Sequence, residues 1–179
     1  AEILIVPNAS PFETGKHETR LKIARARVAE TGLPVVYVNQ IGGQDELVFD
    51  GRSLIADQTG VVIASGKAFE NDIVYADIAI QNQSVIVSLP PSAESLPARE
   101  ELESVAEVYQ ALVLGTRDYV RKNGFSKAML GLSGGIDSAL TAVIAADALG
   151  AEHVLGITMP SRFNSTQTQD DARKLADNL

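Results

Sequence analysis

Cysteine is absent from all 179 residues, which excludes disulfide scaffolds, thiolate metal sites and thiol nucleophiles together. Histidine occurs only twice, as His17 and His153, too far apart in sequence to suggest a His-rich metal site. No run approaches the roughly 18 apolar residues that a membrane span needs, and no basic-then-apolar leader opens the chain. Basic side chains are in the minority, 15 Lys+Arg against 23 Asp+Glu for a net charge of −8. That balance argues against a general nucleic-acid or anionic-membrane surface. These absences lead to the expectation of a soluble, cytoplasmic protein whose partners include neither nucleic acid nor membrane.

What remains has globular proportions: 45% hydrophobic and 21% charged residues, enough to rule out wholesale disorder. The acidity is spread over both halves, so neither end is a charged tail. Ala1 stands almost inside the apolar run Ile3-Leu4-Ile5-Val6, as though a longer protein had been cut there.

Along the chain, a strand is expected over Ala1–Pro7, then a helix from about Gly15 to Thr31. Ile23, Ala26 and Ala29 would form its thin apolar face, with Arg20, Lys22, Arg25 and Arg27 solvated. Leu33–Asn39 is a nearly continuous β-branched run, the pattern of a strand buried on both faces. Ser53–Asp57 and Val61–Ser65 flank a Gln58-Thr59-Gly60 turn, and Ile73–Ile80 and Val85–Leu89 read as further strands. The segment from Pro90 to Pro97, rich in proline and without apolar period, reads as a linker.

Beyond it the texture becomes helical. Val105, Tyr109, Leu112, Thr116 and Tyr119 recur at three- and four-residue spacing. Strand Ala128–Leu132, helix Ser138–Leu149, strand Val154–Met159 and a last helix from about Thr168 follow, with Asp170 and Asp171 placed in its first turn. This βαβα order implies a parallel sheet. With two strands visible, it is expected to be incomplete by itself.

The segment that carries chemistry is Gly131-Leu132-Ser133-Gly134-Gly135-Ile136-Asp137-Ser138, set between an apolar strand and a helix. Adjacent glycines allow positive backbone dihedrals and close approach of amides to a ligand, and the unpaired N–H groups of the next helix face concentrated negative charge. Ser133 and Ser138 add hydroxyls, and Asp137 suits a Mg²⁺ ion bridging phosphate oxygens. A Walker A lysine is missing and the dinucleotide-binding glycine spacing is not met. The plainer alternative is a glycine turn in which Asp137 or Ser138 caps the helix.

The string Ser133–Ser138 resembles the pyrophosphatase loop of enzymes that split ATP into AMP and pyrophosphate to adenylate a carbonyl oxygen. Gly156-Ile157-Thr158-Met159-Pro160-Ser161-Arg162-Phe163-Asn164-Ser165 is similar to a segment of NAD synthetases, with Phe163 and Asn164 departing from their pattern. Residues 1–89 resemble the C-terminal half of a nitrilase-type glutaminase, on Ile5–Phe12, Gly15–Arg20 and Tyr37–Ser53. Two unrelated modules in one order point to the glutamine-dependent NAD synthetases, and the resemblance covers nearly the whole chain.

That resemblance implies an α/β fold: the C-terminal part of a nitrilase-like α-β-β-α sandwich over 1–89, a linker over 90–98, and over 99–179 the first βαβα of a Rossmann-like pyrophosphatase-loop domain. It implies ATP and Mg²⁺ as cofactors and deamido-NAD and glutamine as substrates. It also implies a homo-oligomer in the complete enzyme. ATP would be held by Gly131, Leu132, Ser133, Gly134, Gly135, Ile136, Asp137, Ser138 and Arg162, Mg²⁺ by Asp137, and glutamine by Ser10 and Lys16. The family's cysteine nucleophile is absent here, so the 179 residues alone are expected to be inert. The alternatives are a non-catalytic nucleotide-binding module, or another pyrophosphatase-loop ligase such as a GMP synthetase. Gly42–Glu46, His17 and His153 carry only the plainer expectations of an acidic turn, a solvated helix start and a strand opening, and Tyr109 and Tyr119 that of core residues.

Overall fold

The computed structural model describes residues 1–81, 84–90, 104–159 and 165–179. It forms two compact units, residues 1–42 with 47–111, and residues 43–46 with 112–179.

The first unit is built on a four-stranded sheet in the order β1-β2-β5-β6. Strands β1 (Leu4–Asn8) and β2 (Val35–Asn39) run parallel, joined through helix α1 (Lys16–Thr31). Helix α1 ends where the sequence indicates, at Gly32 with φ +68, whose N–H donates to the Val28 carbonyl. Its packing face differs from expectation. Ala24 and Val28 are buried, while Ile23 is 56% exposed. They close a core with Val35, Leu54 and Ala56 on one face of the sheet. Arg20, expected in solvent, is 5% exposed because a carboxylate 30 residues away, Asp50, meets it inside.

Between β2 and β5 (Leu54–Ala56) lies a short pair, β3 (Ile41–Gln44) and β4 (Leu47–Asp50), with Asp45 at φ +50 in the tip. The acidic turn foreseen there is thus a two-residue hairpin. Strands β5 and β6 (Val62–Ser65) pair antiparallel with a register shift at Ile55/Ala56. The shift lets Val62 pack on the α1 side and Ala64 on the other. The turn between them is held by Asp57, whose Oδ1 accepts from the Thr59 and Val61 amides and the Thr59 hydroxyl. The second face of the sheet is covered by Val85 and Val87 of β8 (Ser84–Ser88), which pairs antiparallel with β7 (Asp77–Gln81). The strand expected from Ile73 begins later, because Asp72 accepts the Lys67 and Ile73 amides and holds that stretch as a loop.

Helix α2 (Ser104–Lys122) supplies Glu107 to the first unit, where its Oε1 meets Arg52 Nη2 at 2.5 Å. The expected apolar stripe of α2 is not its buried one. Val105 is 77% and Tyr119 56% exposed, while Ala111 and Leu114 are buried. In the second unit the hairpin tip lies on the same helix. The Gly43 amide donates to Asp118 Oδ2 at 2.8 Å, and Lys122 Nζ donates to the Gly43 carbonyl. A Cβ on Gly43 would stand 3.0 Å from the Gly115 Cα, so two glycines set this close approach.

The rest of the second unit is β9 (Ala128–Gly131), α3 (Ile136–Leu149), a short 3₁₀ turn over Ala151–His153, β10 (Val154–Ile157) and α4 (Thr166–Asn178). β9 and β10 are parallel, with Val154 opposite Ala128 and Ile157 opposite Gly131. Leu132, Ala142 and Ala172 form the core that joins sheet end, α3 and α4. Helix α4 starts earlier than expected, because Ser165 is its N-cap and accepts from the Thr168 amide. Asp170 and Asp171 therefore fall beyond the first turn. Among the described residues no helix is long and apolar enough to cross a membrane.

Candidate functional site

The loop after β9 is shaped by its glycines. Gly134 takes φ +80, and a Cβ there would lie 2.0 Å from the Thr168 carbonyl oxygen. The loop backbone thus lies directly on the first turn of α4. Gly135 is extended (φ −91, ψ 158) and serves as N-cap of α3 without a side-chain cap hydrogen bond. Neither Asp137 nor Ser138 caps the helix, since both already lie within it.

Ser138 instead ties the loop together. Its hydroxyl donates to the Gly135 carbonyl at 2.9 Å and accepts from the Ser133 amide at 3.2 Å. With that proton committed, the 2.9 Å contact between the two hydroxyls has Ser133 as donor. The Gly135 amide in turn donates to Ser133 Oγ. The first intrahelical bond at this end is Ala139 N–H to Gly135 O, so the amides of Ile136, Asp137 and Ser138 precede the helical ladder and point out of its N-terminus. Asp137 projects an exposed carboxylate from the same turn. Beside the loop opens a cavity of about 240 Å³ lined by Gly131, Leu132, Ser133, Thr158, Thr168 and Arg173, among others.

This arrangement leaves the amides of Ile136, Asp137 and Ser138 as the donors open to an anion and offers one carboxylate for a cation. Among the described residues no cluster of three or more His, Asp or Glu could enclose a metal ion. The donor set therefore fits Mg²⁺ carried in on phosphate oxygens, which keeps few protein ligands. Arg162 lies outside the described residues. Thr158, Thr168 and Arg173 escaped the sequence reading. For Thr158 a signal existed, its place at the C-terminal end of a parallel strand, where such folds bind ligands.

The first unit has its own pocket, about 200 Å³ and mostly apolar in its lining, shared by Ser10 and Lys16 with Asn8, Arg20, Ile23 and Tyr37. Lys16 lies 3.4 Å from the exposed Glu13 carboxylate. Ser10 is anchored through its backbone, its N–H donating to Asn39 Oδ1 at 2.9 Å.

His17 departs from its expected solvated state. Its Nδ1 is buried without a hydrogen-bond partner, and burial, then the charge of Arg52, lowers its pKa from the ordinary 6.5, against the pull of Glu18 and Asp50. A base with a lowered folded pKa binds fewer protons folded than unfolded. Stability is therefore full above about 6.5 and falls as pH drops from there toward the folded value. Denaturant unfolding between pH 7.5 and 5.5 should show this loss in the parent and a flatter profile in His17→Gln. Parallel profiles would refute the assignment. His153 closes the 3₁₀ turn before β10 instead of opening the strand, and the expected core residue Tyr119 is exposed.

Residues 1–84 match the carbon-nitrogen hydrolase family and residues 108–179 the NAD synthase family. Over its whole length the chain is similar to glutamine-dependent NAD(+) synthetases. It is 46% identical over 179 residues to the synthetase of Rhodobacter capsulatus and 41% identical to that of Aquifex aeolicus, covering all of this chain and 31% and 36% of those proteins. The chain thus spans about a third of the length of the curated relatives it matches. A solved structure of the synthetase from Acinetobacter baumannii, in complex with ADP, superposes with TM-score 0.85 at 40% identity, over 99% of this chain and 32% of that one. The nitrilase-like and NAD-synthase parts of the fold therefore stand as expected.

Proposed function

We propose that this chain is the junction segment of an enzyme that amidates deamido-NAD to NAD, using ATP and ammonia drawn from glutamine. The deamido-NAD carboxylate attacks the α-phosphorus of ATP, forming an acyl adenylate and releasing pyrophosphate. Ammonia then adds to the activated carbonyl, AMP leaves, and the nitrogen gives up a proton. The observation that carries this reading is the loop Gly131–Ser138, which presents the amides of Ile136, Asp137 and Ser138 at the N-terminus of α3, in a chain similar throughout to such synthetases. The ADP in the Acinetobacter baumannii structure supports an adenine nucleotide as its ligand.

In this reading Gly131 to Gly135 wrap the leaving pyrophosphate. The amides of Ile136, Asp137 and Ser138 receive its charge as it develops, which is stabilisation of a leaving group by preorganised dipoles. Asp137 would hold a Mg²⁺ ion, which supplies further neutralisation of the phosphate oxygens when bound. Arg162 is assigned to the nucleotide by resemblance alone. Ser10 and Lys16 are assigned to glutamine, a hydroxyl and an ammonium facing one pocket and suited to an α-carboxylate. The nucleophile of that half is not among these residues. The domain division at the segment 90–98, a cytoplasmic setting and a homo-oligomeric complete enzyme belong to the same proposal.

The test is AMP formation by the complete enzyme that depends jointly on deamido-NAD, ATP and Mg²⁺. Nucleotide binding without turnover under those conditions would leave only a binding module. A second expectation separates the two sites. Lys16→Ala should raise the glutamine KM about tenfold or more, the size of a lost charge-assisted hydrogen bond, and leave synthesis from free ammonia intact. Equal loss with both nitrogen donors would make Lys16 a structural residue.

A further inference from the structure

Arg20 is a heavily engaged side chain of the first unit. Its Nε donates to Ser10 Oγ at 3.1 Å. Its Nη1 donates to both oxygens of Asp50, at 2.8 and 2.9 Å, and its Nη2 to the carbonyls of Ser10 and Pro11, at 2.8 and 2.9 Å. All three guanidinium nitrogens thus donate to protein acceptors. Its charge is matched by Asp50, 2% exposed. Although Arg20 lines the pocket that contains Ser10 and Lys16, its charge is paired with Asp50 and its nitrogens are engaged with protein acceptors.

Its effect falls on Ser10. The Nε–H group occupies an acceptor position of the Ser10 hydroxyl, so the hydroxyl's own proton must be directed elsewhere. From the other side Asn39 accepts the Ser10 amide and donates to the Ser10 carbonyl at 3.3 Å and to that of Gly51 at 3.0 Å. The Ser10–Pro11 turn is thereby pinned between α1 and β2.

We propose that Arg20, braced by Asp50, is the positioning residue of the glutamine pocket, fixing the Ser10 hydroxyl by engaging one of its two lone pairs so that its O–H is directed away from the guanidinium. A hydroxyl held in that orientation beside the Lys16 ammonium presents two donors to an acceptor group such as an α-carboxylate. The proposal rests on the assignment of Ser10 to glutamine made above. Lysine cannot replace this arginine, because a single ammonium has three donors at one point and cannot span Ser10, Pro11 and Asp50.

The experiment measures glutamine-driven and ammonia-driven synthesis by the complete enzyme carrying Ser10→Ala, Arg20→Lys, both together, or Asp50→Asn. Ser10→Ala should raise the glutamine KM about tenfold or more with kcat little changed, the mark of lost uniform binding. Arg20→Lys should do the same, and the double variant should be no worse than Ser10→Ala alone, since both changes remove one interaction. Ammonia-driven synthesis should be unchanged throughout. An unaltered KM in Ser10→Ala would overturn the glutamine assignment itself. A raised KM in Ser10→Ala with no effect of Arg20→Lys, or with effects that multiply in the double variant, would overturn the positioning role alone. Loss of ammonia-driven synthesis in Arg20→Lys would do so too. If Arg20→Lys does not fold, Asp50→Asn decides. A rise in glutamine KM that vanishes on the Ser10→Ala background supports the role, and an unchanged KM overturns it.

Discussion

Alanine at position 134 is expected to detach the loop from α4 and abolish AMP release in the complete enzyme. Two costs add at this position. The backbone holds φ +80, a region that costs a residue with a Cβ about 1–2 kcal/mol. The new methyl would also stand 2.0 Å from the Thr168 carbonyl oxygen and 2.7 Å from its Cγ2. The oxygen is backbone in a helix capped by Ser165 and cannot swing aside as a side-chain tip would, so the overpacking cost adds about 1–3 kcal/mol or more. Against a total stability of about 5–15 kcal/mol, the loop is expected to move. Gly124 is the control, with φ +79 and nothing within 4 Å of an added Cβ. Gly124→Ala should cost only the conformational part. Thermal unfolding and AMP release of the two variants test the comparison. Equal behaviour of Gly134→Ala and Gly124→Ala would show that contact with α4 does not shape the loop.

Removal of the Asp137 carboxylate is expected to lower AMP release by a factor of about 10²–10³, the size seen when one preorganised electrostatic contact is lost, with little change in stability. The residue lies in the first turn of α3 and is not its N-cap, which is Gly135. Its favourable interaction with the helix N-terminus is worth only about 0.3–1 kcal/mol. A carboxylate beside phosphate is repulsive unless a cation lies between them, which gives the prediction a sign. Without Mg²⁺, Asp137→Ala should bind ATP as well as the parent or more tightly; with Mg²⁺ it should bind more weakly. Asp137→Asn, which keeps the shape and loses the charge, should follow the alanine variant. AMP release near that of the parent, or ATP affinity independent of Mg²⁺ in both proteins, would remove the metal from the account of Asp137.

Much of the second unit was legible from the sequence because its signals are local. Gly134 and Gly135 between an apolar run and a helix define a strand–loop–helix turn by their own dihedral freedom, and β9 and β10 follow from short apolar runs. Gly32 likewise ends α1 where expected. The helix faces were harder. On α2 the strongest apolar period, through Val105 and Tyr119, points outward, and the seam that is used carries Ala111, Leu114 and Gly115. Small residues give a weak periodic signal, yet only they allow another backbone within contact distance. On α4 the cap Ser165 precedes a polar stretch with no apolar residue to mark the first turn.

By itself, then, the chain's sequence determined the order of the modules, the sites of most strands and helices and the glycine loop that opens α3, since each rests on neighbouring residues and on backbone dihedral preferences that act within a few positions. Tertiary structure alone decided which charges went inside. Nothing near Arg20 in sequence announces Asp50, 30 residues on, and His17 shows its loss of solvent only beside Arg52 and Asp50. A buried charge is tolerable only where its partner is already in place. That partner is brought there by the β3–β4 hairpin and the pairing of β2 with β5, contacts that exist only once the chain has folded.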